Sequence, residues 1–430
     1  MSTRSPHIDR HAGLGAARFK AAPRVLAVAG LAFWLTWACG CVETPPPPSG
    51  DTNSTDPTNG GAEYVGAAAC QACHASFGDT HFRHGHSQIL KPTQGAAPEY
   101  PPGLPRTGVP PPPPGYDWSD IDYVIGGYLK TASFVTRSGF VVAEQTTGDA
   151  LQYHLRLPES GRTAGFEAFN GLTEIPYGFE CFRCHTTGAA SLAVNGSQRQ
   201  GGRPGIGGTW VEDGVQCEAC HGPGSNHVPN PGAGSIYVNS STIGCADCHS
   251  AGAGTLLASD GFILGYQQVE EVQASPHDFT CTVCHDPHAS VFNRTDQGIR
   301  NACMTCHTDV GMALHAGRVY VQGDYVEVLA CESCHMPLAS KYAVSAPPDF
   351  TAGLGRVGDT HTHIMNIDVL PRTAAAMFAP GGGRVVTDAA GRAAVTLDYV
   401  CLRCHHGQGN AFRLDLDGAS TIADGIHQAR

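Results

Sequence analysis

Charge is scarce in this sequence. Only 15% of its 430 residues are Asp, Glu, Lys or Arg, against a usual ~25%, so the chain lacks the charge density that keeps polar segments disordered. The formal net charge is -12, a balance that argues against nucleic acid as a partner, and none is expected. Methionine is sparse, at six residues. A membrane-length apolar run is also missing: the stretch Val25 to Ala38, VLAVAGLAFWLTWA, has 14 residues, too few to cross a bilayer comfortably. What the chain has in excess is glycine and proline, 54 and 30 residues, about a fifth of the total against a usual ~12%. Both interrupt helical and strand periodicity. Something other than helix-on-sheet burial must therefore organise much of the chain.

The apolar stretch follows Arg4, Arg10, Arg18, Lys20 and Arg24, and its length suits the apolar region of a secretory signal. Cys39 and Cys41 come next, then Pro45 to Pro48 and a Ser/Thr/Asn/Gly run to Gly61. The arrangement resembles a bacterial lipoprotein start, with either Cys39 or Cys41 as the lipidated residue and a flexible tether after it. The expected organisation is a signal peptide over 1–38, a tether over 39–61 and one domain over 62–430. Such a protein is exported, as a periplasmic or outer-membrane lipoprotein or one at the cell surface.

Sixteen of the 18 cysteines fall into eight copies of Cys-x-x-Cys-His. The pairs are Cys70 and Cys73, Cys181 and Cys184, Cys217 and Cys220, Cys245 and Cys248, Cys281 and Cys284, Cys303 and Cys306, Cys331 and Cys334, and Cys401 and Cys404. The histidines behind them are His74, His185, His221, His249, His285, His307, His335 and His405. Disulfides or zinc would explain paired cysteines in an exported chain but not the invariable histidine. Attachment of c-type haem demands it. Two thioether bonds fix the porphyrin edge, and the histidine is the proximal iron ligand. Eight covalently bound haems are expected, or roughly one per 46 residues of the domain, so that porphyrins replace the apolar core a short segment cannot build.

Motif starts are separated by 111, 36, 28, 36, 22, 28 and 70 residues, and the short intervals force neighbouring haems close together. The long first interval contains a proline-rich stretch, Pro98 to Pro114, that reads as an extended loop. It also contains FVTRSGFVV and LQYHLRL, which read as a small β-hairpin.

A second axial ligand completes a six-coordinate haem iron. Twelve histidines remain once the proximal set, His7 and His11 are removed: His81, His84, His86, His154, His227, His277, His288, His315, His361, His363, His406 and His427. They suffice for bis-histidine ligation of every iron. YVGAAACQACHASFGDTHFRHGHSQIL, at 64–90, resembles the start of multihaem cytochromes c of the cytochrome c-554 type, a superfamily that includes octahaem hydroxylamine oxidoreductase and tetrathionate reductase. YVIGG, CHTTG, GVQCEACHGPGSNH and CESCHMP are similar to further signatures of that family, and the resemblance runs discontinuously from Tyr64 to about Ile364. Asn366 to the last motif matches none of it. The resemblance implies distal ligation by His86, by His227 of the GPGSNH segment, by His288 of CHDPH, and by His277 and His315. His361 and His363 compete for one further site, with His363 preferred.

The fold expected from these readings is mainly α, with long irregular loops and a small β-hairpin, packed around a haem array. The expected function is electron transfer through closely packed, mostly bis-histidine haems in a respiratory chain, with other redox proteins as partners and a lipid anchor as the membrane attachment. The alternative is an octahaem reductase or oxidase of small nitrogen or sulfur compounds with one open-coordination haem. No Cys-x-x-Cys-Lys variant is present, and no catalytic residue is singled out.

Overall fold

The computed structural model describes residues 56–427 apart from 103–108, 144–149, 170–174, 233–234, 239–241, 253, 278, 293–296, 313 and 348–354. The expected signal segment, with Cys39, Cys41 and the tether up to residue 55, lies outside the described residues. No helix among the described residues is long and apolar enough to cross a membrane.

The architecture is not mainly α. Helix and strand take nearly equal shares, 21% and 20%, and the expected small hairpin is part of a seven-stranded antiparallel sheet. Its strands are β1 (Leu90–Pro92), β2 (Ile121–Gly126), β3 (Thr131–Thr136), β4 (Phe140–Val141), β5 (Ala150–His154), β6 (Gly165–Phe169) and β7 (Ile175–Pro176). The order is β1-β2-β3-β4-β7, and β3 uses its first half to pair with β5, which in turn pairs with β6. IDYVIG and TASFVT form the central pair because alternate β-branched and aromatic residues can be buried on opposite faces. Tyr123 and Val135 join Tyr177, Phe182 and Trp210 on one face, while Val124 and Phe134 join Ile121 and Val142 on the other. With both faces covered, the strands show little of the polar alternation that would have marked them.

Helices are short because the repeated motif spans barely one turn. Such turns include α1 (Ala67–Gln71), α3 (Phe179–Phe182), α4 (Cys217–His221), α7 (Cys281–Cys284), α8 (Cys303–Cys306) and α9 (Cys331–His335). Longer ones are α2 (Ala75–Phe82), α5 (Thr242–His249), α6 (Gln268–Gln273) and α11 (Leu416–Ala423), with α10 (Leu397–Val400) leading into the last motif. Gly222 ends α4 at φ 69°, where any Cβ would overlap the Pro57 carbonyl. The segment 56–61 thereby closes against the third motif, and buried Asn59 donates from Nδ2 to the carbonyls of His221 (2.9 Å) and Pro223 (2.8 Å). A second core, including Phe262, Ile263, Ile364, Val395 and Tyr399, packs beneath the later motifs.

Candidate haem array

Each motif places its three functional side chains by helical geometry. Residues i, i+3 and i+4 share one face of a turn; at His185 the N–H donates to the Phe182 carbonyl (2.9 Å), while in other motifs the turn closes where the histidine N–H donates to the carbonyl of the first cysteine. That bond is 3.0 Å at His74, 2.9 Å at His285, 3.0 Å at His307 and 2.9 Å at His405. All sixteen motif cysteines are free thiols, so none is spent on a disulfide. Thiols from different motifs approach within hydrogen-bonding range at Cys70 and Cys217, Cys184 and Cys248, Cys245 and Cys281, and Cys303 and Cys331. Motifs far apart in sequence are thus neighbours in space.

Seven motif histidines face a second imidazole. His74 lies 6.3 Å from His227 between ring centres, with the planes 19° apart. His221 lies 6.1 Å from His288 at 10°, and His335 lies 5.7 Å from His427 at 13°. His249 and His86 are 6.1 Å apart at 49°, and His285 and His363 are 6.1 Å apart at 53°. The steepest pairs are His307 with His277, 5.9 Å at 85°, and His405 with His315, 6.3 Å at 77°. Two metal–imidazole bonds of about 2 Å, with about 1.1 Å from each nitrogen to its ring centre, together span roughly 6 Å. Among the described residues no group of three or more His, Cys, Asp or Glu converges into a metal cage. Histidines meeting in pairs beside free thiol pairs suit an iron whose other four positions a porphyrin fills, and the residues fit c-type haem.

Hydrogen bonds at the other ring nitrogen select the tautomer that presents Nε2 to a metal. The Nδ1–H groups of His221, His335, His405 and His427 donate to the carbonyls of Tyr237 (2.9 Å), Met365 (2.8 Å), Phe412 (2.7 Å) and Gly311 (2.9 Å). His227 donates to Ser235 Oγ (2.9 Å), His249 to Gln268 Oε1 (3.0 Å) and His288 to Asp286 Oδ1 (3.1 Å). Burial pushes His86 well below the ordinary histidine range and His185 and His285 down to about 4. These rings are neutral near pH 7, the form that ligates.

All six histidines singled out by resemblance, His86, His227, His277, His288, His315 and His363, stand in these pairs. His427 is the one that sequence reasoning missed. It follows α11 in a region that matches no family segment, and only its membership of the surplus histidines pointed to it. The other histidines take different roles. His81 donates from Nε2 to the Val215 carbonyl (2.9 Å), His154 pairs with Glu167 (3.4 Å), and His406 donates to the Leu402 carbonyl (3.1 Å). His84 stacks between His81 and His86. His361 donates to the Met336 carbonyl and faces no motif imidazole.

His185 stands apart. Among the described residues no histidine ring faces it, and the aromatic neighbour is Tyr177, stacked at 6.4 Å and 19° with its hydroxyl 3.2 Å from Nδ1. Tyr177, Phe182 and Trp210 belong to the sheet's core, so the seven-stranded sheet holds the second motif.

A family model described as cytochrome c554 and c-prime matches residues 163–222, and one described as a doubled CXXCH motif matches 276–312. The chain is a multihaem c-type cytochrome. The cytochrome c-554-type resemblance read from its motifs is found again in the 163–222 match, which contains both His185 and His221. No curated protein matches the cytochrome. Three solved structures are similar to it at 17% identity. They are an undecahaem cytochrome from the S-layer of Carboxydothermus ferrireducens (TM-score 0.39, covering 66% of this chain and 52% of that one), the outer cell wall cytochrome OcwA (0.49, 84% and 86%), and the octahaem sulfite reductase MccA of Wolinella succinogenes (0.48, 86% and 68%). The cytochrome spans about half the length of the first.

Proposed function

We propose that the chain is an exported octahaem cytochrome that moves electrons of a respiratory chain along closely packed, mostly bis-histidine haems. The observation that carries this function is the set of seven facing imidazole pairs, each joining a motif histidine to a histidine from another part of the chain. Each haem would take up and release one electron at a potential set by its axial ligands and surroundings. The chain's residues set the route. The close cysteines place the first motif beside the third, the second beside the fourth, the fourth beside the fifth and the sixth beside the seventh.

Intact mass of the purified protein should show eight haem increments, and seven or fewer would overturn the count. Electron paramagnetic resonance of the oxidised protein at pH 7 should show seven low-spin centres and one that is not bis-histidine. Basic redox proteins are the partners that a net charge of -12 favours, with association that slows as salt rises. Export and anchoring rest on Val25 to Ala38 and on Cys39 or Cys41, and replacing both cysteines with Ser should release the protein into a soluble fraction.

A second function is favoured by one observation, the absence of a described histidine opposite His185. Burial holds that imidazole neutral, and the Tyr177 hydroxyl fixes its orientation. An open position there would admit a small nitrogen or sulfur compound and make the chain a reductase or oxidase. Adding nitrite, hydroxylamine or sulfite should then shift the non-bis-histidine signal. An unchanged spectrum leaves the electron carrier.

A further inference from the structure

Helix α6 presents two different groups to two neighbouring axial ligands. Gln268 Oε1 accepts from His249 Nδ1 at 3.0 Å, and three positions on, on the same face of the helix, Glu271 Oε2 lies 3.6 Å from His363 Nδ1. His249 belongs to the fourth motif and His363 faces His285 of the fifth, and the two motifs touch through Cys245 and Cys281. One helix therefore sets an amide beside one iron site and a carboxylate beside the next.

Glu271 is fully buried. Its carboxylate accepts from Ser340 Oγ (2.7 Å), Thr362 Oγ1 (3.1 Å) and the backbone N–H of His363 (2.5 Å), all neutral donors. Among the described residues no lysine or arginine pairs with it, whereas Asp286, the other carboxylate beside an axial histidine, is partly exposed and shares Arg300 at 3.5 Å. A carboxylate taken out of water without a counter-charge is costly. An iron held between His285 and His363 would place a positive charge on the far side of the His363 ring, whose Nδ1 is 3.6 Å from the carboxylate.

We propose that Glu271 is a positioning residue that supplies the counter-charge for the ferric haem held by His285 and His363, and so lowers its reduction potential relative to the haem held by His249 and His86. The carboxylate, 3.6 Å from His363 Nδ1, would favour the oxidised iron electrostatically across the imidazole, and addition of one electron would remove the positive charge that it offsets. Gln268 accepts the His249 Nδ1–H but, being neutral, adds no negative charge beside its neighbour. The result is a built-in step in potential between two adjacent carriers.

This rests on the axial pairing proposed above, and the experiment separates the two. In the haem-loaded protein, His363→Ala should convert one low-spin centre to high-spin; an unchanged spin count would overturn the pairing itself. Glu271→Gln, followed by potentiometric titration with spectroscopic detection, should move the midpoint of one low-spin component to more positive potential with haem content by mass unchanged, and Glu271→Asp should restore it. Gln268→Glu should move a different component to more negative potential, a shift in the opposite sense that a purely structural helix would not give. Wild-type midpoints in both Glu271→Gln and Gln268→Glu, with the His363→Ala conversion intact, would overturn the role of Glu271.

Discussion

At the scale of the residue, a histidine here is defined by what its Nδ1 meets. His427 donates to the Gly311 carbonyl and sets its ring 5.7 Å from that of His335, whereas His361, two residues before a paired histidine, meets the Met336 carbonyl and, among the described residues, no motif ring. His427→Ala is expected to leave the count of attached haems at the wild-type value, because attachment uses only the motif. It should turn one near-parallel low-spin centre into a high-spin one, read by electron paramagnetic resonance. The eight Cys-x-x-Cys-His motifs were legible in the sequence because five consecutive residues contain each of them. The pairings were not legible: His86 meets His249 across 163 positions, and nothing in the spacing of either encodes the other.

At the scale of the element, the last motif is tied by an ion pair to the hairpin that precedes α9 and by a hydrogen bond to α9 itself. Arg403, inside the eighth motif and nearly fully buried, donates to both carboxylate oxygens of Glu327 (2.7 and 2.8 Å) and to the Ser333 carbonyl of α9 (2.9 Å). Glu327 comes from a hairpin of Val319–Gln322 and Tyr325–Val328. Burial alone would raise its carboxyl, but the Arg403 charge and hydrogen bonds from Arg403, Ser333 and Tyr325 outweigh that and hold it at about 2, below an ordinary 4.5. A depressed carboxyl stabilises the fold at pH values above 4.5, and that stabilisation, roughly 3 kcal/mol, is lost as pH falls toward 2. Glu327→Gln should cost about 3–5 kcal/mol at pH 7 by leaving a buried guanidinium without its partner, and should flatten the acid limb of a thermal-unfolding pH profile. The sheet escaped sequence reading for a related reason. Its two- to six-residue strands, buried on both faces, lack the alternation by which FVTRSGFVV and LQYHLRL could have been assigned to anything larger than a hairpin.

At the scale of the whole molecule, the angles between paired rings divide the centres into classes. Parallel imidazole planes split the iron orbitals strongly, while perpendicular planes leave them nearly degenerate and give highly anisotropic low-spin signals. Three pairs lie at 10° to 19°, two at 49° and 53°, and two at 77° and 85°. The oxidised protein should therefore show ordinary rhombic and highly anisotropic low-spin signals in a ratio of about three to two, with the intermediate pairs between them. A single uniform low-spin species would contradict the seven orientations. The composition is intelligible at this scale too. Glycine and proline are tolerated in a chain whose described residues form a few compact cores and short elements rather than long regular ones.

The pairing of His74 with His227 and of His335 with His427 also has a meaning in time. A polypeptide is made from its N-terminus, so the first attachment site exists long before its partner imidazole does, and the third, fifth and seventh sites likewise wait for histidines that follow them. The fourth, sixth and eighth sites are the reverse, since His86, His277 and His315 are already made when His249, His307 and His405 arrive. The histidines of the first, third, fifth and seventh motifs therefore stand without their partners until a later segment emerges.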